Sequence, residues 1–201
     1  MANSNDRPDV LIVGGGKISR EVVLPTIFQE QKYNRVGNIS ISSLTGNIIK
    51  ELQGMFPKFK GYPDPEKYDV NERFPDMFKE AINDLPENGV VIVATPDHMH
   101  TPVILAAIEA GRHVAVEKPL CLKVDEAKEI IRKSEEKGVY VLTDYHKRHD
   151  RPIRAARYYY RKGYLGEMLH GHAWIEEPKY MALDAFKLWA EKSSPFEYIG
   201  V

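Results

Sequence analysis

The sequence predicts an α/β fold: a doubly wound parallel-sheet Rossmann domain over residues 1–146, then the start of an incomplete α+β domain over residues 147–201. Three observations carry that expectation. Short β-branched runs alternate with stretches of helical spacing. The runs are almost continuously apolar, as strands covered on both faces must be. A glycine triplet, Gly14 to Gly16, directly follows the first run.

The predicted strands are, in order, DVLIV (9–13), NISIS (38–42), GVVIVAT (89–95), HVAVE (113–117) and VYVLTDY (139–145). Between them lie helical patterns at REVVLPTIFQEQ (20–31), FPDMFKEAINDL (74–85), HTPVILAAIEAG (100–111) and DEAKEIIRKSEEKG (125–138). The last two end on Gly111 and Gly138, where a glycine cap is expected. The stretch QGMFPKFKGYPDPEKYDV (53–70), crowded with Pro, Gly and aromatics, reads as an irregular connection without chemistry. Beyond residue 150, RPIRAARYYYRKGYLGEM predicts a helix stopped at Gly163, and EMLHGHAWIEE (167–177) predicts a strand of a different sheet.

Composition narrows the function classes. With 28 basic and 29 acidic residues, a net charge of −1 gives no electrostatic reason to expect nucleic acid or a membrane as partner. No apolar run approaches the roughly 20 residues of a membrane span and no leader pattern opens the chain, so a cytoplasmic location is expected. The basic run at 146–162 reads as a solvated connecting helix, because the rest of the chain offers no matching basic surface. The single Cys121 makes neither an internal disulfide nor a Cys-rich metal site and reads as a small apolar filler.

The chemistry begins at VLIVGGGKIS. Gly14 would make the tight turn after the first strand, and Gly16 would let backbone approach a pyrophosphate at the start of a helix, whose N–H groups and dipole favour an anion. Where that fingerprint has its third glycine stands Ser19, for which a slightly wider helix-to-strand contact is expected. The acidic residue that ordinarily accepts from the adenosine ribose is missing: no Asp or Glu lies between Gln31 and Lys50. The second strand ends instead in Ser42, Ser43 and Thr45, hydroxyls that do not repel a 2′-phosphate. This leans the cofactor expectation within NAD(P) slightly toward NADP. His98 and His100 have no patterned third ligand, so no metal is expected there.

HVAVEKPL ends a predicted buried strand with Glu117 and Lys118, followed by Pro119. At the carboxyl end of a parallel strand, a lysine faces the crevice where open α/β sheets bind ligands. A cation there polarises a carbonyl or lowers the pKa of an alcohol.

GGGKIS (14–19), ATPDHMH (94–100) and EKPL (117–120), in this order and on these strand ends, resemble the glucose-fructose oxidoreductase, inositol dehydrogenase and MocA-like (Gfo/Idh/MocA) family of nicotinamide-dependent oxidoreductases. The likeness continues through YHKRHDRP (145–152) and GYLGEMLHGHAWIEE (163–177). It implies hydride transfer between a nicotinamide and a sugar, polyol or related hydroxy or carbonyl compound. Lys118 is then the catalytic residue and Glu117 shapes the nicotinamide pocket. Gly14, Gly16, Lys17 and Ile18 form the phosphate loop, with Ser42 and Ser43 at the second strand end. Ala94, Thr95, Pro96 and His100 lie along the cofactor or pocket, and Arg148 matches an arginine that follows the sixth strand. His146 stands where the family often has asparagine.

The resemblance also implies a larger second domain, able to support a homo-oligomer, that carries an aspartate and a catalytic histidine a few residues apart. Asp184 is available, but no histidine follows His172. The chain is therefore expected to be a fragment of a longer enzyme, the competing expectation being a non-catalytic nucleotide sensor.

Overall fold

The computed structural model describes residues 7–172 together with 174, 176, 178–181 and 187. They fall into two compact units, one running to Thr143 and the other beginning at Asp144.

In the first unit, β1 (Val10–Val13), β2 (Ile39–Ser42), β3 (Lys60–Tyr62), β4 (Val90–Val93), β5 (His113–Glu117) and β6 (Val141–Asp144) form one sheet. Its order is β3-β2-β1-β4-β5-β6, that of the dinucleotide-binding α/β fold. The pairings of β1 with β2 and β4, of β2 with β3 and of β4 with β5 are all parallel. The chain goes outward from β1 to β3, then returns to the far side of β1 for β4, which makes β1 and β4 the switch point.

The apolar runs follow from burial on both faces. Val10 and Ile12 point to one side, where α1 (Leu24–Lys32) and α2 (Gly46–Met55) supply Leu24, Phe28, Ile49 and Leu52. Leu11 and Val13 point to the other, against residues of α3 (Met77–Asn83), α4 (His100–Glu109) and α5 (Val124–Lys137) such as Phe78, Ile104 and Ile130. Each fully buried aliphatic contributes roughly 1.5–3 kcal/mol, so a polar residue anywhere in β1 would be costly.

The helices end as their sequences predict. Gly111 and Gly138 take the left-handed conformation, with φ of 71° and 65°. Pro25 shapes the start of α1. A π-helical turn, Ser19–Val23, precedes it, and the Leu24 N–H donates to the Ser19 carbonyl. Pro25 brings no N–H to the ladder, while the Thr26 hydroxyl donates to the Val22 carbonyl at 2.7 Å.

Two elements depart from the expectation. The stretch 53–70 is not wholly irregular, because it contains β3, and α2 was not foreseen at all. β3 has only three residues, carries a glycine and sits at a sheet edge, where little hydrophobic pattern is needed. In the second unit, α6 (Arg151–Arg161) stops before Gly163 (φ 77°) as expected, and every residue of it is exposed. The strand expected over 167–177 is absent among the described residues, which pair there with no neighbouring strand. Ala173, Ile175 and Glu177 of that stretch lie outside the described residues, as does Asp184.

The unforeseen edge strand is held by a polar clamp. Lys60 Nζ and the Tyr62 hydroxyl both donate to Asp84 Oδ2, at 2.8 and 2.6 Å, just beyond α3. The two donors, Lys60 first, hold the Asp84 carboxyl below its usual range. The same bonding pushes the Lys60 ammonium up, and burial pushes the Tyr62 phenol up. A carboxyl whose folded pKa is depressed contributes stability that is present above its unfolded value, near 3.9, and is lost as pH falls through the folded value. Asp84 is about half exposed, so screening keeps the contribution small. Asp84→Asn should therefore lower stability by on the order of 1 kcal/mol at pH 7. The gap between variant and wild type should be smaller in urea titrations repeated below the unfolded carboxyl value, near pH 3.9, than at pH 7. An equal gap at both pH values would show that charge plays no part in the clamp.

Candidate functional site

The carboxyl ends of β1, β2, β4 and β5 gather at one edge of the sheet, and three turns there define the site. The first follows β1. Gly14 has φ 115°, a backbone conformation that side chains rarely adopt. A Cβ there would come within 2.7 Å of the Ala94 carbonyl carbon and closer still to its oxygen. The two turns meet because β1 and β4 pair in register up to Val13 and Val93, with the Ala94 N–H donating to the Val13 carbonyl at 2.9 Å. Gly15 is also crowded: a Cβ would meet Ile48 at 2.5 Å and the Ser43 hydroxyl at 3.0 Å. Around a Cβ at Gly16 there is nothing within 4 Å. Lys17 and Ile18 open the helical stretch that follows, so the loop runs straight into a helix start.

Ser19 is fully buried, and its hydroxyl donates to the Gly14 carbonyl at 2.7 Å. The expectation of a wider contact gives way to a bonded one. Arg20 donates from Nε to the Gly15 carbonyl at 2.9 Å and from Nη2 to Glu51 of α2 at 2.7 Å. Spacing gave no reason to single out Arg20, since its partners lie five residues before it and 31 after it.

The end of β2 differs from the expectation of open hydroxyls. Ser42 and Ser43 are 2% and 9% exposed, and of the three hydroxyl residues only Thr45 is half-buried. The cause is the unforeseen β3: the Ser43 N–H donates to the Tyr62 carbonyl at 2.8 Å, which extends the ladder over the strand end.

The second turn follows β4. Ala94 is buried and Pro96 half-buried; Thr95 Oγ1 is shielded from solvent and has no hydrogen-bond partner among the described residues. His100, expected along the cofactor or pocket, is fully buried. Its Nε2 lies 2.9 Å from the Thr95 carbonyl and its Nδ1 lies 2.6 Å from the Pro119 carbonyl. With both ring nitrogens taken by backbone, it ties the second turn to the third. That third turn carries Glu117, Lys118 and Pro119 at the end of β5; Glu117 and Lys118 are half-buried, and the Lys118–Pro119 bond is cis. Cys121 donates from Sγ to the Lys123 carbonyl at 3.3 Å, and burial pushes its thiol up.

In the second unit, Arg148 is exposed and stacks over the Tyr145 ring at 4.6 Å, and its N–H donates to the Tyr145 carbonyl at 2.9 Å. His146 is exposed in the short 3₁₀ turn His146–His149.

A dinucleotide fits the first-unit residues on two counts. The Gly14 turn packs on Ala94 with no room for a side chain, so the loop reaches the helix start at Gly16 with open space around it, and Thr95 offers a shielded hydroxyl with no partner among the described residues. Among the described residues no helix is long and apolar enough to cross a membrane.

Comparisons with known proteins agree. Residues 9–145 match the family model for Gfo/Idh/MocA, an oxidoreductase family with an NAD-binding Rossmann fold. Levoglucosan dehydrogenase of Pseudarthrobacter phenanthrenivorans is 33% identical over 89 residues, which are 44% of this chain and 23% of the relative. The NADP(+) scyllo-inositol 2-dehydrogenase of Bacillus subtilis is 39% identical over 85 residues, 40% of this chain and 23% of the relative. The WlbA dehydrogenase of Bordetella pertussis, solved with NADH and UDP-GlcNAcA, superposes with a TM-score of 0.63 at 18% identity over 80% of this chain and 43% of that one. The matched stretches thus span less than half the length of these relatives. On the strength of the match over residues 9–145, the chain belongs to the Gfo/Idh/MocA oxidoreductase family.

Proposed function

We propose that this chain binds NAD(P) and serves an oxidoreductase acting on a sugar, polyol or related hydroxy or carbonyl compound. The observation that carries the reading is the side-chain-free approach of the Gly14 turn to the Ala94 carbonyl, beside the Thr95 hydroxyl, which has no hydrogen-bond partner among the described residues. Gly14, Gly16, Lys17 and Ile18 would hold the diphosphate, while Ala94, Thr95, Pro96 and Glu117 would line the nicotinamide side. Bound nicotinamide supplies a carbon that gives or takes hydride.

The chain's own contribution is charge and position. Lys118 is assigned to the substrate oxygen, where an ammonium stabilises developing alkoxide character and passes or retains a proton. His100 acts behind it as a positioning residue, since it fixes the Pro119 carbonyl one residue from Lys118. The substrate class is supported by the two relatives whose names denote a sugar derivative and an inositol.

At the adenosine end the reading favours NADP at least as much as NAD. No carboxylate lies between Gln31 and Lys50, and Glu51, the next acid, is already paired with Arg20.

Three outcomes are expected. The wild-type chain should bind NADH or NADPH in fluorescence titrations, and Gly14→Ala should abolish that binding; a wild type that binds neither would overturn the assignment. Lys118→Met should lower turnover of a responsive sugar or polyol by about a hundredfold or more, while dinucleotide affinity changes only a few-fold. An undiminished rate would remove Lys118 from the chemistry. Ser43→Asp should shift calorimetric preference toward NAD(H) by repelling a 2′-phosphate, and a preference that stays put would mean that the ribose is read elsewhere.

A further inference from the structure

Three successive carbonyls of the glycine loop are bonded by two side chains and one amide of the residues just behind them. The Gly14 carbonyl accepts from the Ser19 hydroxyl at 2.7 Å, the Gly15 carbonyl from Arg20 Nε at 2.9 Å, and the Gly16 carbonyl from the Arg20 N–H at 3.1 Å. We propose that Ser19 and Arg20 form a carbonyl clamp that positions this loop for the diphosphate of a dinucleotide. The inference rests on the dinucleotide reading above.

In a planar trans peptide the C=O of one residue and the N–H of the next point in opposite directions. Binding the Gly14, Gly15 and Gly16 carbonyls toward the first helical turn therefore turns the amides of Gly15, Gly16 and Lys17 the other way. Carbonyl oxygens repel a diphosphate and amide hydrogens attract it, so the clamp presents the attractive half of each peptide. A loop of three glycines has little intrinsic preference for that arrangement.

The usual third glycine would be small enough for the packing but could not bond. Ser19 fits with no exposed surface and adds the donor. Arg20 is itself braced, because its Nη2 is held by Glu51 on α2 at 2.7 Å while Nε stays on the loop. Arginine can do both at once since its donors point in different directions within one planar group; lysine has no Nε–H beside a second terminal donor.

The experiment is a calorimetric titration of the chain with ADP-ribose and with NADPH, using wild type, Ser19→Gly, Arg20→Met and Arg20→Lys. Urea midpoints and hydrogen exchange of the Gly15 and Gly16 amides would be followed in parallel. Ser19→Gly, although it restores the glycine of the fingerprint, should weaken ADP-ribose by roughly fivefold to tenfold. Arg20→Lys should lose as much as Arg20→Met, with faster exchange at the two loop amides and urea midpoints close to wild type.

Rescue by lysine would make Arg20 a charge contact with phosphate and overturn the clamp. Wild-type affinity in Ser19→Gly would overturn it as well. Should the Ser19 variant fail to fold, the partly exposed Arg20 pair still decides between the two outcomes. A wild type that binds neither ligand would instead fell the dinucleotide reading, and the clamp with it.

Discussion

The close approach of two turns at the switch point governs the rest of the first unit. β1 and β4 lie side by side, yet the chain leaving β1 turns toward the α1 face and the chain leaving β4 toward the α4 face. Both turns start at the same level of the sheet, because Val13 and Val93 are register partners. Two backbones can then occupy neighbouring positions only if one carries no side chain, and Gly14 meets that condition at a φ of 115°. A bulkier residue would have to lift the first turn off the second, moving the helix start that the loop feeds.

Backbone carbonyls dominate the hydrogen bonding at this edge. Beyond the last ladder bonds the turns carry acceptors that no strand can satisfy, and a buried unsatisfied group is costly. Ser19 and Arg20 answer this need at the first turn, and His100 links the second and third by placing its two ring nitrogens against the Thr95 and Pro119 carbonyls. The geometry of the site is thus set by side chains that face away from the crevice. Thr95 shows the opposite arrangement, a shielded hydroxyl with no partner among the described residues, at the place where the reading puts a ligand.

This division explains what could be read from sequence. β1, β2, β4 and β5 were legible because burial leaves apolar, β-branched runs, β6 showed the same kind of run although none of its residues is buried and Leu142 is exposed, and the caps at Gly111 and Gly138 were legible because few residues but glycine tolerate those φ values. β3 was not, since three edge residues bury too little to leave a pattern, and α2 began within a stretch read as the end of β2. Without β3, the burial of Ser42 and Ser43 at the strand end had no sign in the sequence either. Gly14, Thr95 and Lys118 belong to local motifs, which is why the sequence singles them out. The bonds of Ser19, Arg20 and His100 depend on which carbonyls folding brings near, which neither spacing nor residue type reveals.

The two units also draw on different sources of order. In the first, the sheet is packed on both faces and its helices are held by tertiary burial. In α6 nothing is buried, and a helix of 11 residues standing on local interactions alone is marginal in water. Its sequence supplies the local terms available: Pro152 in the first turn, a Lys147–Asp150 ion pair ahead of it and Gly163 beyond its end. Ile153, Tyr158, Tyr159 and Tyr160 remain about half exposed on it. The packed core among the described residues is therefore that of the first unit, and its carboxyl edge carries the Gly14, Thr95 and Lys118 turns.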